Sequence, residues 1–450
     1  MSAAIDQRSQ GRPANDVVYA AQLAPANGNL GQALLQPGAI DVVNAWLDRF
    51  QQLGVEGVKI SIPYPLLSPT YRASNQYLAF YRQVVSSAEQ RRMQVLIHMG
   101  FVFANTPFSS ISFSYANTTF QATTAAYGAM AQTIVTQLQP DYLTLLSEPD
   151  VAQANSGYSE FADPAGTAAF VSQVMAGLPR GSTKLGAGSG SWQPPTFVQA
   201  LTPLGLDYVN LHIYPIGPQD TANLMGILGA ADAAHLPLVM DELWLYKTAD
   251  QGLGADSPGV FSEDAFTFWQ PLDRQFLSMA AALAQRNNII FMAPFWTSYF
   301  FAQTDYTAQT ERLSFTQLSN LLSPQARTAV AQGTFTPLGT AYGDIAATGA
   351  GCQFVLGFRT LHTLDPNDIG SCTDNQVFAA NGDAQQHTFS GLMAWAQGRQ
   401  LDGLHQRLHD LDQWAERARQ PLEHAALPLG VGLRRARTEP RAGLIRAPDG

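Results

Sequence analysis

Eight short runs rich in β-branched and aromatic residues alternate with longer helical patterns between residues 16 and 345, and that rhythm restricts the chain more than any other feature. The runs begin at Val17, Val55, Gln94, Asp141, Thr183, Leu206, Pro237 and Asn288. Between them, helical patterns cover 40–53, 75–93, 123–138 and 263–286. Strand, helix and strand in repetition build a parallel sheet, and eight such units close into an α/β (β/α)8 TIM barrel, with a last helix at 336–345. The alternative is an open doubly wound sheet, but no Gly-rich phosphate loop follows the first run. Pro294 lacks the N–H that a central strand needs, so the eighth strand should end near Ala293.

The rhythm fades near Gly349. We expect a barrel over 16–349, a small irregular Cys-containing C-terminal module over 350–398, and a helix with a disordered tail over 399–450. Leu404, Leu408, Leu411 and Trp414 recur at helical spacing in that last stretch, before Arg and Pro accumulate. Cys352 and Cys372 are the only cysteines; a disulfide in an oxidising compartment and two free thiols are both open. The first sixteen residues lack the apolar core of a signal peptide, which leaves localisation undecided, an extracellular protein included.

A net charge of −10 and the absence of a basic patch in the first 350 residues argue against nucleic acid or an anionic membrane as partner. No apolar run reaches the length of a membrane span. A neutral ligand such as an oligo- or polysaccharide fits this balance better.

Two glutamates end two of the apolar runs: Glu148 in the fourth and Glu242 in the seventh. Barrel enzymes keep their chemistry at the carboxyl ends of the strands. Side chains on a strand alternate faces, so Tyr142, Thr144, Leu146 and Glu148 should share one face and Asn210, His212 and Tyr214 another. The same count groups Leu238, Met240, Glu242 and Trp244, and turns Asp241 outward toward a salt bridge in the helix layer. Pro149 stops the fourth strand just past Glu148. Two carboxylates at one barrel mouth, with no further acid or His pair at metal-ligand spacing, suit acid and base work on a glycosidic bond and imply neither metal nor cofactor. The plainer alternatives are that Glu148 caps the following helix and that Glu242 is a surface acid.

At these residues the chain resembles the glycoside hydrolase clan of (β/α)8 barrels with catalytic glutamates at strands four and seven, glycoside hydrolase family 5 included; the resemblance covers 16–345. It implies a retaining hydrolase of β-linked glycans, in which Glu148 of Ser147-Glu148-Pro149 is the acid/base and Glu242 the nucleophile. By the same resemblance Lys59, His98, Ser147, His212, Tyr214 and Trp296 bind substrate; strand alternation adds Asn210, and Trp192 and Trp244, which follow strand ends, are either sugar-stacking faces or core aromatics. The clan carries Asn where this chain has Ser147, and Arg where it has Lys59, which is poorer in donors. These departures leave room for a non-catalytic glycan-binding barrel, or for a barrel lyase or isomerase using the same acids. Retention would place the two carboxyl groups about 5 to 5.5 Å apart.

Overall fold

The structure is a computed structural model that describes residues 1–9, 12–104, 106–248 and 257–348, together with parts of 354–395 and 431–434. The chain divides into two compact units, Met1–Gly351 and Cys352–Gly450.

The first unit is a closed ring of eight parallel strands, each paired to the next and the eighth to the first. These are β1 (Val18–Gln22), β2 (Gly57–Tyr64), β3 (Gln94–Phe101), β4 (Tyr142–Thr144), β5 (Lys184–Gly190), β6 (Tyr208–Ile213), β7 (Leu238–Leu243) and β8 (Ile289–Pro294). Each falls within or beside one of the eight runs read from the sequence, and β8 ends on Pro294 itself, where a missing N–H costs least. Strands covered on both sides read as near-continuous apolar runs, which is why the runs were legible.

Helices cover the outside through apolar stripes. In the helix Ala39–Gln52 the buried residues are Val43, Trp46, Leu47 and Phe50, spaced to share one face. Helix starts carry local caps: Thr119 accepts from Ala122 N–H, Asp163 from Gly166 N–H, and Ser314 forms a reciprocal capping box with Gln317. The helix Pro337–Thr348 closes the ring, and Tyr342 reaches through to donate to the carbonyl of Ala20 on β1.

Inside the ring, Ala20, Leu96, Tyr142, Tyr208, Val239, Phe291 and Ala293 form one apolar cluster below the carboxyl end. Gly186 on β5 makes room there for Tyr208, since a Cβ would stand 2.0 Å from its ring. Tyr142 and Tyr208 therefore point inward as the alternation on β4 and β6 predicts. On β7 the inward residue is Val239, not Leu238 or Met240.

β7 breaks step with its neighbour. Asn210 pairs with Val239 but His212 pairs with Glu242, so three steps on β7 match two on β6. This is a β-bulge, and it turns the consecutive acids Asp241 and Glu242 both toward the interior. The expectation that Asp241 faces the helix layer is thereby corrected: alternation fails wherever a strand carries one extra residue.

The second unit carries more order than an irregular extension. A helix, Leu356–Leu364, and four strands, Val377–Phe378, Ala384–Thr388, Gly391–Trp395 and Val431–Arg434, are present, the strands pairing antiparallel into one sheet. Phe358, Ile369, Ala384 and Met393 form its apolar cluster. Cys372 is disulfide-bonded. The helix expected over Leu404, Leu408, Leu411 and Trp414 lies outside the described residues, as does Cys352. No helix among the described residues is long and apolar enough to cross a membrane.

Candidate active site

The carboxyl end of the ring opens into a cavity of about 580 Å³, within the range of small-ligand sites. Eight of the residues singled out in the sequence line it: Lys59, His98, Ser147, Glu148, Trp192, Tyr214, Glu242 and Trp296. His212 and Asn210 stand behind the lining, fully buried. Trp244 does not join them. It is 1 % exposed and packs against Tyr299 and the Lys247 ammonium, because the chain leaves β7 at Leu243 and turns it into the outer layer.

β4 ends at Thr144, but the backbone keeps pairing with β5 through Leu145 N–H to Gly186 and Gly188 N–H to Leu146. That continuation carries Glu148 to the rim. Glu148 occupies the N-cap position of the helix Pro149–Ser156 yet makes no capping bond; its Oε1 instead accepts from His212 Nδ1–H at 2.8 Å. The plain reading of Glu148 as a helix cap therefore fails.

Glu242 is gripped from two sides. Tyr214 donates to Oε1 at 2.9 Å and Lys59 Nζ to Oε2 at 3.1 Å. Lys59 is 1 % exposed and lies over the Phe295 ring, so its charge is screened little by water. Oxygens of Glu148 and Glu242 and a ring nitrogen of His212 all fall within 4.8 Å of one another. The two glutamates are partly open to the cavity, at 20 % and 14 % side-chain exposure.

Beneath the pair lies a charged centre that the sequence reading missed. Asp241, fully buried, accepts from His212 Nε2–H (2.9 Å), Asn210 Nδ2–H (2.6 Å), His98 Nδ1–H (2.9 Å) and the Thr144 hydroxyl (3.3 Å). A buried carboxylate is tolerable only when so satisfied. His212 thus hangs between Asp241 and Glu148, donating one N–H to each.

The proton affinities follow from these contacts. Burial lifts the Glu148 carboxyl above its ordinary value; the charge and hydrogen bond of His212 oppose the lift and the charge of Glu242 adds to it. Burial would raise Glu242 too, but Lys59, His212 and His98 outweigh it and hold Glu242 below the ordinary value. Burial disfavours the charged form of His212, yet Glu242, Asp241 and Glu148 together push it up to about 10. Burial also lowers His98, and the charge of Lys59 adds to that, whereas Asp241 works against it. Asp241 lies well below the carboxylate range: burial raises it, and its two histidines more than reverse that. Two carboxyls with proton affinities driven apart are the usual mark of an acid and its ionised partner.

Among the described residues, two groups of side chains lie close enough to gather around a metal ion, His98–His212–Asp241 and Glu148–His212–Glu242. His212 belongs to both, and its two ring nitrogens are already bonded to Glu148 and Asp241, so a metal there would have to displace a proton from one of these bonds.

Three buried polar atoms of cavity-lining residues have no protein partner: Ser147 Oγ, Trp296 Nε1 and Asn29 Oδ1. Buried polar groups are rarely left unpaired, so these three are free to bond water or a bound ligand. Trp192 stands at the rim with Nε1–H donating to Asp150 at 2.7 Å, and Gly190 gives its ring space, a Cβ there falling 2.3 Å from it. Tyr246, also missed, stacks on Tyr214 at 4.6 Å and 16° and lines the cavity. Its place two residues after Trp244 on a loop gave no periodic signal.

No family model matches the chain, and no curated protein matches it. Among solved structures it is similar to the glycoside hydrolase GH5_18 from Bifidobacterium longum subsp. longum, at 14% identity over 74% of this chain and 79% of that one, with a TM-score of 0.48. It is similar to a family 39 glycoside hydrolase from Bacteroides cellulosilyticus WH2, at 14% identity over 86% and 71%, TM-score 0.44. A family 5 mannosidase from Rhizomucor miehei gives 11% identity over 72% and 94%, TM-score 0.43. At such scores the likeness carries no functional argument; the barrel rests on the closed ring of strands and the chemistry on its side chains.

Proposed function

We propose that this chain is a retaining glycoside hydrolase acting on β-linked glycosides by double displacement. One observation carries the reading: two glutamates at the mouth of a closed barrel bring carboxylate oxygens within 4.8 Å of each other, with proton affinities moved in opposite directions. One oxygen of each carboxylate within that reach supports the roughly 5 to 5.5 Å separation of direct attack.

In the first step Glu242 attacks the anomeric carbon as Glu148 gives its proton to the leaving oxygen. Lys59 and Tyr214 keep Glu242 ionised and aimed. A glycosyl ester on Glu242 results. In the second step Glu148, now ionised, takes a proton from water, the water oxygen bonds to the anomeric carbon, and the ester bond breaks. His212 steadies Glu148 in both steps, since its Nδ1–H bond strengthens when Glu148 is charged. Ser147 Oγ and Trp296 Nε1 are donors left for sugar hydroxyls.

The test is a panel of aryl β-glycosides assayed with wild type and Glu242→Ala. Turnover of at least one glycoside, lost in the variant by a factor on the order of 10⁴, supports the proposal. Turnover that survives Glu242→Ala removes it.

A further inference from the structure

One wall of the cavity is built from phenylalanines of three different segments that follow barrel strands: Phe108 in a loop, Phe261 in the short helix Ser257–Glu263 and Phe315 at the start of the helix Phe315–Gln332. Phe108 follows β3, Phe261 follows β7 and Phe315 follows β8. β3 and β7 are not neighbours in the ring, yet Phe108 meets Phe261 at 5.4 Å and Phe315 at 5.7 Å, and Phe261 meets Phe315 at 6.3 Å. All three are partly exposed and line the cavity that holds Glu148 and Glu242. Trp296 touches Phe261 at 5.5 Å and Phe315 at 6.2 Å, so the wall continues to the catalytic end without a break.

Connecting segments over a barrel mouth are ordinarily polar, and solvent-facing phenylalanine there means lost hydration unless something covers it. The rings also cross at 63° to 67°, edge to face, and so offer no common flat face on which a pyranose could lie. Their side chains hold no nitrogen or oxygen. Further sugar units placed against them would lose their hydroxyl hydrogen bonds to water and recover none. Lys59, Ser147, Tyr214 and the two glutamates put most of the cavity's polar groups at the other end, and Asn29, bonded to Ser109 and Ser110 beside Phe108, is the polar neighbour of the wall.

We propose that the substrate is an amphipathic glycoside, in which one sugar reacts between Glu148 and Glu242 and the group attached to it is an apolar alkyl or aryl chain covered by Phe108, Phe261 and Phe315. The occupant of the wall is then covalently continuous with the occupant of the acid pair, as the continuity of the cavity requires. This inference rests on the hydrolase reading above and adds its substrate class.

The experiment uses the full chain. Aryl β-glycosides first identify the sugar; n-alkyl β-glycosides of that sugar, from butyl to octyl, are then compared with its β-linked di- and trisaccharides. Primary alkoxide leaving groups differ little in basicity, so the series reports binding. We expect kcat/KM to rise about fourfold per methylene, the transfer free energy of one CH₂ expressed as a rate, and to exceed that of the oligosaccharides. Phe315→Ser should flatten the rise to less than about twofold per methylene, and Phe315→Leu, which keeps the wall apolar, should restore part of it. A flat alkyl series with preference for the oligosaccharides overturns the inference and leaves the hydrolase standing. No turnover of any glycoside by a folded protein overturns the hydrolase reading itself.

Discussion

Replacing Asp241 by Asn removes the one charge on which the lower half of the site is organised. Asp241 accepts four hydrogen bonds, and an amide can accept at only one of its two positions; the other would point N–H groups at donors, either at His98 and Thr144 or at Asn210 and His212. His212 also loses one of the three carboxylates that lift it to about 10. Measured from its ordinary 6.5, that lift is worth about 5 kcal/mol at about 1.36 kcal/mol per decade of proton affinity. Breaking a buried charge pair of this kind costs about 3 to 5 kcal/mol.

The pH dependence has a definite sign. His212 is more basic folded than unfolded, so its contribution is complete below about 6.5 and is lost as pH rises toward 10. Asp241 is more acidic folded than unfolded, so its contribution is present above its ordinary value near 3.8 and is lost only as pH falls below that. The stability gap between wild type and Asp241→Asn should therefore be widest between about pH 4 and 6.5 and should narrow toward pH 10. Thermal unfolding followed by circular dichroism from pH 5 to 10 measures it, with a midpoint loss of roughly 5 to 10 °C at pH 6. A variant as stable as wild type, or a gap independent of pH, would refute the reasoning.

Three further outcomes follow from the same contacts. Lys59→Met removes the largest influence holding Glu242 ionised, so the acidic limb of the kcat/KM profile should move to higher pH and activity near neutrality should fall on the order of 10²-fold; an unmoved limb contradicts this. Glu148→Gln should spare the first step for an activated aryl leaving group but stall the second, and added azide should restore turnover by forming a β-glycosyl azide; an α-azide or no rescue counts against retention. Trp244→Phe, outside the cavity lining, should change stability and leave the KM for an aryl glycoside within about twofold of wild type, a larger KM change indicating a substrate contact that the burial of Trp244 denies.

The barrel was legible because its eight strands, buried on both faces, read as uninterrupted apolar runs, and because helix stripes such as Val43, Trp46, Leu47 and Phe50 obey a fixed period. Positions on regular strands were legible too: Tyr142, Thr144, Asn210 and His212 turn inward by simple alternation. Alternation misled on β7, where the extra residue of the bulge brings both Asp241 and Glu242 inside, and past its end at Leu243, where Trp244 no longer follows the strand. A bulge is set by pairing with neighbouring strands, and a single sequence records no pairing. The phenylalanine wall stayed hidden for the same reason: Phe108, Phe261 and Phe315 are far apart in the chain, and only the way the segments after three strands fold over the barrel mouth brings them into contact.

The central claim is a covalent bond between sugar and Glu242, and trapping it is the most direct measurement. Incubation with a 2-deoxy-2-fluoro β-glycoside carrying a good leaving group slows the second step more than it can slow the first, so a glycosyl-enzyme should accumulate. Mass spectrometry of the proteolysed protein should find one fluoroglycosyl group on the peptide that carries Glu242, with fragment ions placing it on that residue and not on Asp241. Steady hydrolysis with no adduct, or an adduct on another side chain, would contradict the account.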